Sequence, residues 1–190
     1  MSRHARSNAP EISVVLAVRD DEERIGHQVN AVATHLRALG RAFEIVAVND
    51  GSRDNTLPML ELLVARVPEL RVIRASAAGR AFMRGAAEAN GSVLILMDAA
   101  RAISLAPLGW ALSRLAGGRD AVIFRGRYVV ARLRPVLPVI ARASGPGVLF
   151  ERIFERRAQA LRLDVVGSRP APSSATARLL APVLRFLATS

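Results

Sequence analysis

Apolar and polar positions alternate along the first hundred residues in blocks of strand and helix length. Ile12-Ser-Val-Val-Leu-Ala-Val18 is short, β-branched and nearly all apolar, the pattern of a strand buried on both faces. The acidic run Arg19–Glu23 follows and suits a helix N-terminus. Ile25, Val29, Val32, Leu36 and Leu39 then recur at steps of four and three, one apolar stripe on a helix that Gly40 is placed to end. Glu44–Val48 reads as a second strand. Leu57–Val67 reads as a helix with Pro58 in its first turn, where proline is tolerated. Arg71–Arg74 predicts a third strand, Gly79–Ala89 a small-residue helix, and Ser92–Met97 a fourth strand running into Asp98. Strands separated by helices of this length imply a mostly parallel sheet with right-handed crossovers, a three-layer α/β/α fold.

In such sheets ligands bind beyond the carboxyl ends of the strands. The polar clusters Arg19–Glu23, Asn49–Asp54, Ser76–Arg84 and Asp98 all follow strands, so all belong on one edge. Asp20, Asp54 and Thr56 are also suited to plain capping roles.

Composition sharpens this picture. The chain has 190 residues, 51% of them hydrophobic, enough for one domain with a sizeable core. Cysteine is absent, which excludes disulfides, a thiol nucleophile and thiolate metal sites. All 27 basic residues are arginine, and the net charge is +11. Residues 1–100 hold 12 arginines and 12 acids, whereas residues 101–190 hold 15 arginines and 4 acids, so the positive charge belongs to the second half. His27 and His35, eight apart on a helix, make a poor metal pair. No apolar run reaches the ~20 residues of a membrane span, and the first ten residues lack a secretory pattern, so a cytoplasmic location is expected.

Five segments then carry a resemblance. They are Val14–Glu23, Ile45–Thr56 (Ile-Val-Ala-Val-Asn-Asp-Gly-Ser-Arg-Asp-Asn-Thr), Gly79-Arg80 with Gly85, Leu94–Asp98 and Asp120–Tyr128. In order and spacing they resemble the motifs of family 2 inverting glycosyltransferases of the GT-A, or nucleotide-diphospho-sugar transferase, fold. The polyprenyl-phosphate and dolichol-phosphate sugar transferases are the sub-type most similar. The resemblance implies a nucleotide site built from Val18, Asp21, Glu22, Asp50, Ser52, Arg80 and Asp98. Asp21 and Glu22 would face the base, Asp50 would accept a hydrogen bond from it, and Asp98 would touch ribose or metal. It also implies a UDP- or GDP-linked sugar donor and a divalent Mg or Mn ion.

The sequence departs from the family at several points. Its "D-x-D" reads Asp98-Ala99-Ala100 and is followed by Arg101, so the second acid is missing and metal binding at Asp98 is expected to be weak. Asn49 replaces the first acid of "D-D-G-S". Of the four acids after residue 100, none identifies itself as a general base, and Glu151 and Glu155, one helical turn apart, are expected on a solvated face. Asp120 is expected to start a strand.

Arg101, Arg125 and Arg127 are candidate contacts to an acceptor or a phosphate. The apolar and cationic stretches Arg134–Arg142 and Ala177–Leu187 suit an anionic membrane surface or a lipid-phosphate acceptor, and the apolar residues of the tail suit docking on the domain or an oligomer contact as well. With 4% aromatic residues and no reader motif, nucleic acid is not expected as a partner.

The domain layout expected is a flexible N-terminus over 1–10 and one GT-A-like domain over 11–168. That domain divides into a nucleotide-binding half (11–100) and a shortened acceptor half (101–168). A linker and an apolar, basic tail follow over 169–190. Three readings stay open. The first is a glycosyltransferase acting on a lipid-phosphate or glycan acceptor at the inner membrane face, in cell-envelope chemistry. The second is a catalytically inactive pseudo-glycosyltransferase that serves as a nucleotide-binding or partner subunit; on any reading a homo-oligomer or a partner protein is open. The third is a membrane-surface or polyanion-binding module.

Overall fold

The computed structural model describes residues 9–75, 79–101, 104–143 and 147–168. Among them seven strands form one sheet: β1 Ile12–Val18, β2 Phe43–Asn49, β3 Leu70–Arg74, β4 Val93–Asp98, β5 Ala121–Phe124, β6 Tyr128–Arg132 and β7 Val165–Ser168. The strand order is β3-β2-β1-β4-β6-β5-β7. β6 alone runs against the others, pairing antiparallel with both β4 and β5. The mostly parallel sheet expected from the strand–helix alternation is therefore present. Chain order reverses between β1 and β4, which places the topological switch point at Val18 and Asp98.

Six helices cover the two faces: α1 Ile25–Ala38, α2 Thr56–Val64, α3 Ala81–Glu88, α4 Leu108–Ala116, α5 Leu133–Ile140 and α6 Gly147–Ala160. Val14, Leu16, Ile45, Ile95 and Val130 point to one side. There they pack with the stripe Ile25, Val29, Val32 and Leu36 of α1, with Leu60 of α2, and with Leu108, Ala111 and Leu115 of α4. Val15, Val46, Leu94, Leu96 and Val129 point to the other side. They meet Phe82 and Ala86 of α3, Val136, Val139 and Ile140 of α5, and Phe150 and Phe154 of α6. This period-two division of β1 and β4 is why both strands are apolar except at Ser13 and the terminal Asp98.

The structure differs from the sequence reading in five places. Asp120–Tyr128 is not one strand. The chain reverses at Arg125–Arg127, where the N–H of Arg127 donates to the carbonyl of Phe124 (2.9 Å) and Gly126 takes φ +74°. That left-handed position suits glycine in a type II turn, and β6 then fits between β4 and β5. β7 and α4 were not anticipated. α2 stops at Val64 because Val67 precedes Pro68, which disfavours helical backbone. The Arg134–Arg142 stretch forms α5, which docks Val136, Val139 and Ile140 into the core and leaves Leu137 exposed on its outer side. Asp120 lies just before β5, and its carboxylate accepts the N–H of Asp164. The tail Ala177–Leu187 and its linker Pro170–Ser174 lie outside the described residues.

Candidate functional site

The loops after β1 and β2 are cross-stitched. Asp20 adopts φ +51°, a conformation aspartate tolerates better than most residues. Its N–H donates to Ser52 Oγ (3.1 Å) and its Oδ1 accepts the N–H of Arg53 (2.7 Å). The N–H of Asp21 donates to Thr56 Oγ1 (2.8 Å), and that of Glu22 to Asp54 Oδ2 (3.1 Å). Glu22 Oε2 in turn accepts the N–H of Asn55 (2.7 Å). Hydrogen bonds from Thr56, with the N–H of Glu22, hold the Asp54 carboxyl below its ordinary range. Asn49 Oδ1 accepts from Ser52 Oγ (2.5 Å) and the Ser52 N–H (3.2 Å), closing the turn around Gly51 at φ +81°. Glu22 and Ser52, both expected at the nucleotide, thus tie one loop to the other.

Two carboxylates at this edge are left incomplete. Asp21 is 3% exposed, and its Oδ1 accepts Arg24 Nη2 (2.6 Å). Asp50 follows β2 and is anchored by its N–H to the carbonyl of Val18 (2.8 Å), while its Oδ2 accepts the N–H of Gly79 (2.8 Å). Asp21 Oδ2 and Asp50 Oδ1 are buried and have no hydrogen-bond partner among the described residues. Buried polar atoms are nearly always paired, so an orphaned acceptor has room for a donor from water or from a ligand. Arg80 is exposed at the start of α3. Ser76 of the expected cluster lies outside the described residues.

The acceptor side meets this edge at Asp98. Met97 pairs with Tyr128, so the Arg125–Arg127 turn lies beside Asp98. Asp98 Oδ1 accepts the N–H of Ala100 (3.0 Å), and its Oδ2 lies 3.7 Å from Arg101 Nε. Gln28, on α1, pins this segment by donating from Nε2 to the carbonyls of Ala99 (2.6 Å) and Arg101 (2.9 Å). Arg125 Nη2 pairs with Glu155 Oε1 (2.5 Å), so that cation is already matched.

Glu151 corrects the expectation of a solvated face. It is 8% exposed, and its Oε2 accepts the N–H of Gly126 (2.8 Å). Burial pushes its carboxyl up, the Gly126 N–H and the Arg101 guanidinium pull it back, and the Asp98 charge raises it further. Glu151 and Gln28 are the residues missed at this edge. Neither stands in a motif, and the one available signal for Glu151 was its place between Phe150 and Phe154 on the helix stripe.

A divalent ion of the "D-x-D" kind does not fit these residues. Asp98 contributes one carboxylate, already engaged; Ala100 has no side-chain ligand atom; and Arg101 stands where a second cation would be repelled. No group of three histidines, aspartates or glutamates among the described residues could hold a metal.

Residues 13–124 match the sequence profile of Glycosyl transferase family 2. The chain belongs to this family. A curated relative, undecaprenyl-phosphate 4-deoxy-4-formamido-L-arabinose transferase of Pseudomonas paraeruginosa, is 33% identical over 92 residues, covering 46% of this chain and 27% of the relative. Human polypeptide N-acetylgalactosaminyltransferase 15 is 34% identical over 129 residues, covering 65% of this chain and 20% of the relative. The matches therefore span about a quarter of the curated relatives' length or less.

Among solved structures, a mannosyltransferase from Pyrobaculum calidifontis with GDP-mannose and Mn2+ superposes with TM-score 0.66 at 15% identity. That match covers 85% of this chain and 55% of the other. Glucosyl-3-phosphoglycerate synthase from Mycobacterium tuberculosis, with Mn2+, UDP and phosphoglyceric acid, gives 0.62 at 16% identity over 83% of this chain and 68% of the other. These likenesses establish the GT-A fold of this family 2 chain. No helix among the described residues is long and apolar enough to cross a membrane.

Proposed function

We propose that this family 2 chain binds a UDP- or GDP-linked sugar across the switch point and transfers the sugar to a lipid-phosphate acceptor with inversion. The observation that carries the reading is the pair of orphaned carboxylate oxygens, on Asp21 and Asp50, at the edge where a doubly wound sheet takes its ligand. Asp50 Oδ1 suits an N–H donor of a nucleobase, and Asp98 suits a ribose hydroxyl. The similarity to a transferase that uses undecaprenyl phosphate supports a phosphate-bearing lipid acceptor at a membrane surface.

In this mechanism an anionic acceptor oxygen attacks the anomeric carbon from the face opposite the diphosphate. The new carbon–oxygen bond forms as the bond to the β-phosphate oxygen breaks, and the leaving nucleoside diphosphate takes the electron pair. The acceptor oxygen already carries its charge, so no proton needs removing and no general base is required. Arg101 and Arg127 lie beside Asp98, where fixed cations offset the charge that grows on the leaving group.

The test is a turnover assay with UDP- and GDP-sugars and polyprenyl phosphate, with product stereochemistry read by NMR. A product of inverted configuration is expected. Nucleotide binding without any transfer would favour the inactive-subunit reading, which one observation supports: Ala100 stands in place of the second acid.

A further inference from the structure

Arg101 is held in place before any ligand arrives. Its carbonyl accepts from Gln28 Nε2 (2.9 Å), its N–H donates to the Asp98 carbonyl (3.2 Å), and its Nε faces Asp98 Oδ2 at 3.7 Å. A Cβ added to Gly126 would lie 3.7 Å from Arg101 Nη1, so the guanidinium rests against the β5–β6 turn. The Glu151 carboxylate, bound to the same turn, feels the charges of both Arg101 and Asp98. The Arg101 side chain is 20% exposed and makes no hydrogen bond among the described residues, so its fork of donors is open. Around it stand one acid at the end of β4, one on α6, and an alanine where a metal-ligating acid belongs.

We propose that Arg101 is the resident cation of this site. Its guanidinium takes the place of a divalent metal in neutralising the donor diphosphate, so nucleotide binding is independent of metal. A guanidinium keeps its charge at every working pH and offers a planar fork that matches two phosphate oxygens. A divalent ion placed beside that fixed charge would be repelled by it. The inference rests on the nucleotide reading above, and its test separates the two.

UDP and GDP are titrated by calorimetry into the full chain, once in EDTA and once in Mn2+. Binding of free Mn2+ is followed by electron paramagnetic resonance. The wild type should bind a nucleotide with affinities that agree within about twofold in the two buffers, and should leave Mn2+ free. Arg101→Ala should lose about 10- to 100-fold in affinity, the size of a lost charge-assisted contact. Arg101→Gln, a shorter side chain that keeps a polar amide donor but not the charge, gives the same reading should the alanine variant melt. The double variant Ala100→Asp with Arg101→Ala, which restores two acids, should gain tenfold or more in affinity on adding Mn2+.

A tenfold gain of wild-type affinity with Mn2+, or unchanged affinity in a folded Arg101 variant, overturns the arginine proposal alone. Absence of UDP and GDP binding in both buffers overturns the nucleotide reading and this proposal with it.

Discussion

Glu44 and Asp50 stand at opposite ends of the same strand, and their carboxylates are treated in opposite ways. Glu44, at the start of β2, is fully provided for. It accepts from Ser13 Oγ (2.6 Å), from Arg71 Nε and Nη2 (3.0 and 2.8 Å) and from the Asn90 N–H (2.7 Å). The same Ser13 hydroxyl accepts the N–H of Gly91 (2.8 Å), stitching the amino-terminal edge together. Burial alone would raise the Glu44 carboxyl, but the bonds from Ser13, Asn90 and Arg71 outweigh it and hold the value below 4.5. Asp50, past the other end, receives the Gly79 N–H on one oxygen and leaves the other buried and unpaired among the described residues. A satisfied buried carboxylate holds a fold together, whereas an unsatisfied one costs stability until water or a ligand supplies the missing donor.

Breaking the Asp50 end should affect binding most. Asp50→Ala is expected to lower nucleotide affinity about 10- to 100-fold, with stability unchanged or raised, measured by calorimetry and thermal melting. Breaking the Glu44 end should do the reverse. Glu44→Ala leaves Ser13, Arg71 and Asn90 without their acceptor and should cost about 2–4 kcal/mol in a denaturant melt, while nucleotide affinity holds.

Gly85→Ala should move both readouts together. A Cβ there would lie 2.2 Å from Val15 Cγ1 and 3.0 Å from Val48 Cγ2. α3 must then lift off β1, taking the Gly79 donor away from Asp50, at a cost of about 1–3 kcal/mol in stability and some affinity.

Acidity sharpens the comparison further. The Glu44 carboxyl is lowered in the folded chain, so its contribution to stability is present above its ordinary value of 4.5 and is lost as pH falls through the folded value. Acid melts of Glu44→Gln should therefore show a shallower loss below pH 4.5 than the wild type. Glu151 has the opposite sign. Burial raises its carboxyl, so stability declines as pH climbs from 4.5 through the folded value. Glu151→Gln keeps an acceptor for the Gly126 N–H and should be slightly the more stable chain at pH 7, with the gap closing at low pH.

What the sequence made legible follows from which signals are local. β1 was found to the residue, because Ile12–Val18 faces helices on both sides and so is apolar at every position but Ser13. That Asp21, Asp50 and Asp98 share one edge followed from each coming after a strand of a parallel sheet. β6 and β7 escaped because strands of five and four residues carry little periodicity, and the Gly126 turn between β5 and β6 looked like one continuous strand. Glu151 was misread because its burial depends on a turn 25 residues earlier in the chain. Glu22 Oε2 and Ser52 Oγ each accept a backbone N–H of the neighbouring loop, a tie between loops that no spacing reveals.

The most direct measurement is a calorimetric titration of UDP and GDP into the wild type, Asp50→Ala and Glu44→Ala side by side. The account predicts that the wild type and a folded Glu44→Ala bind the same nucleotide with affinities within about threefold, whereas Asp50→Ala loses at least tenfold. Wild-type affinity in Asp50→Ala, or an affinity loss in a folded Glu44→Ala equal to that in Asp50→Ala, would contradict it.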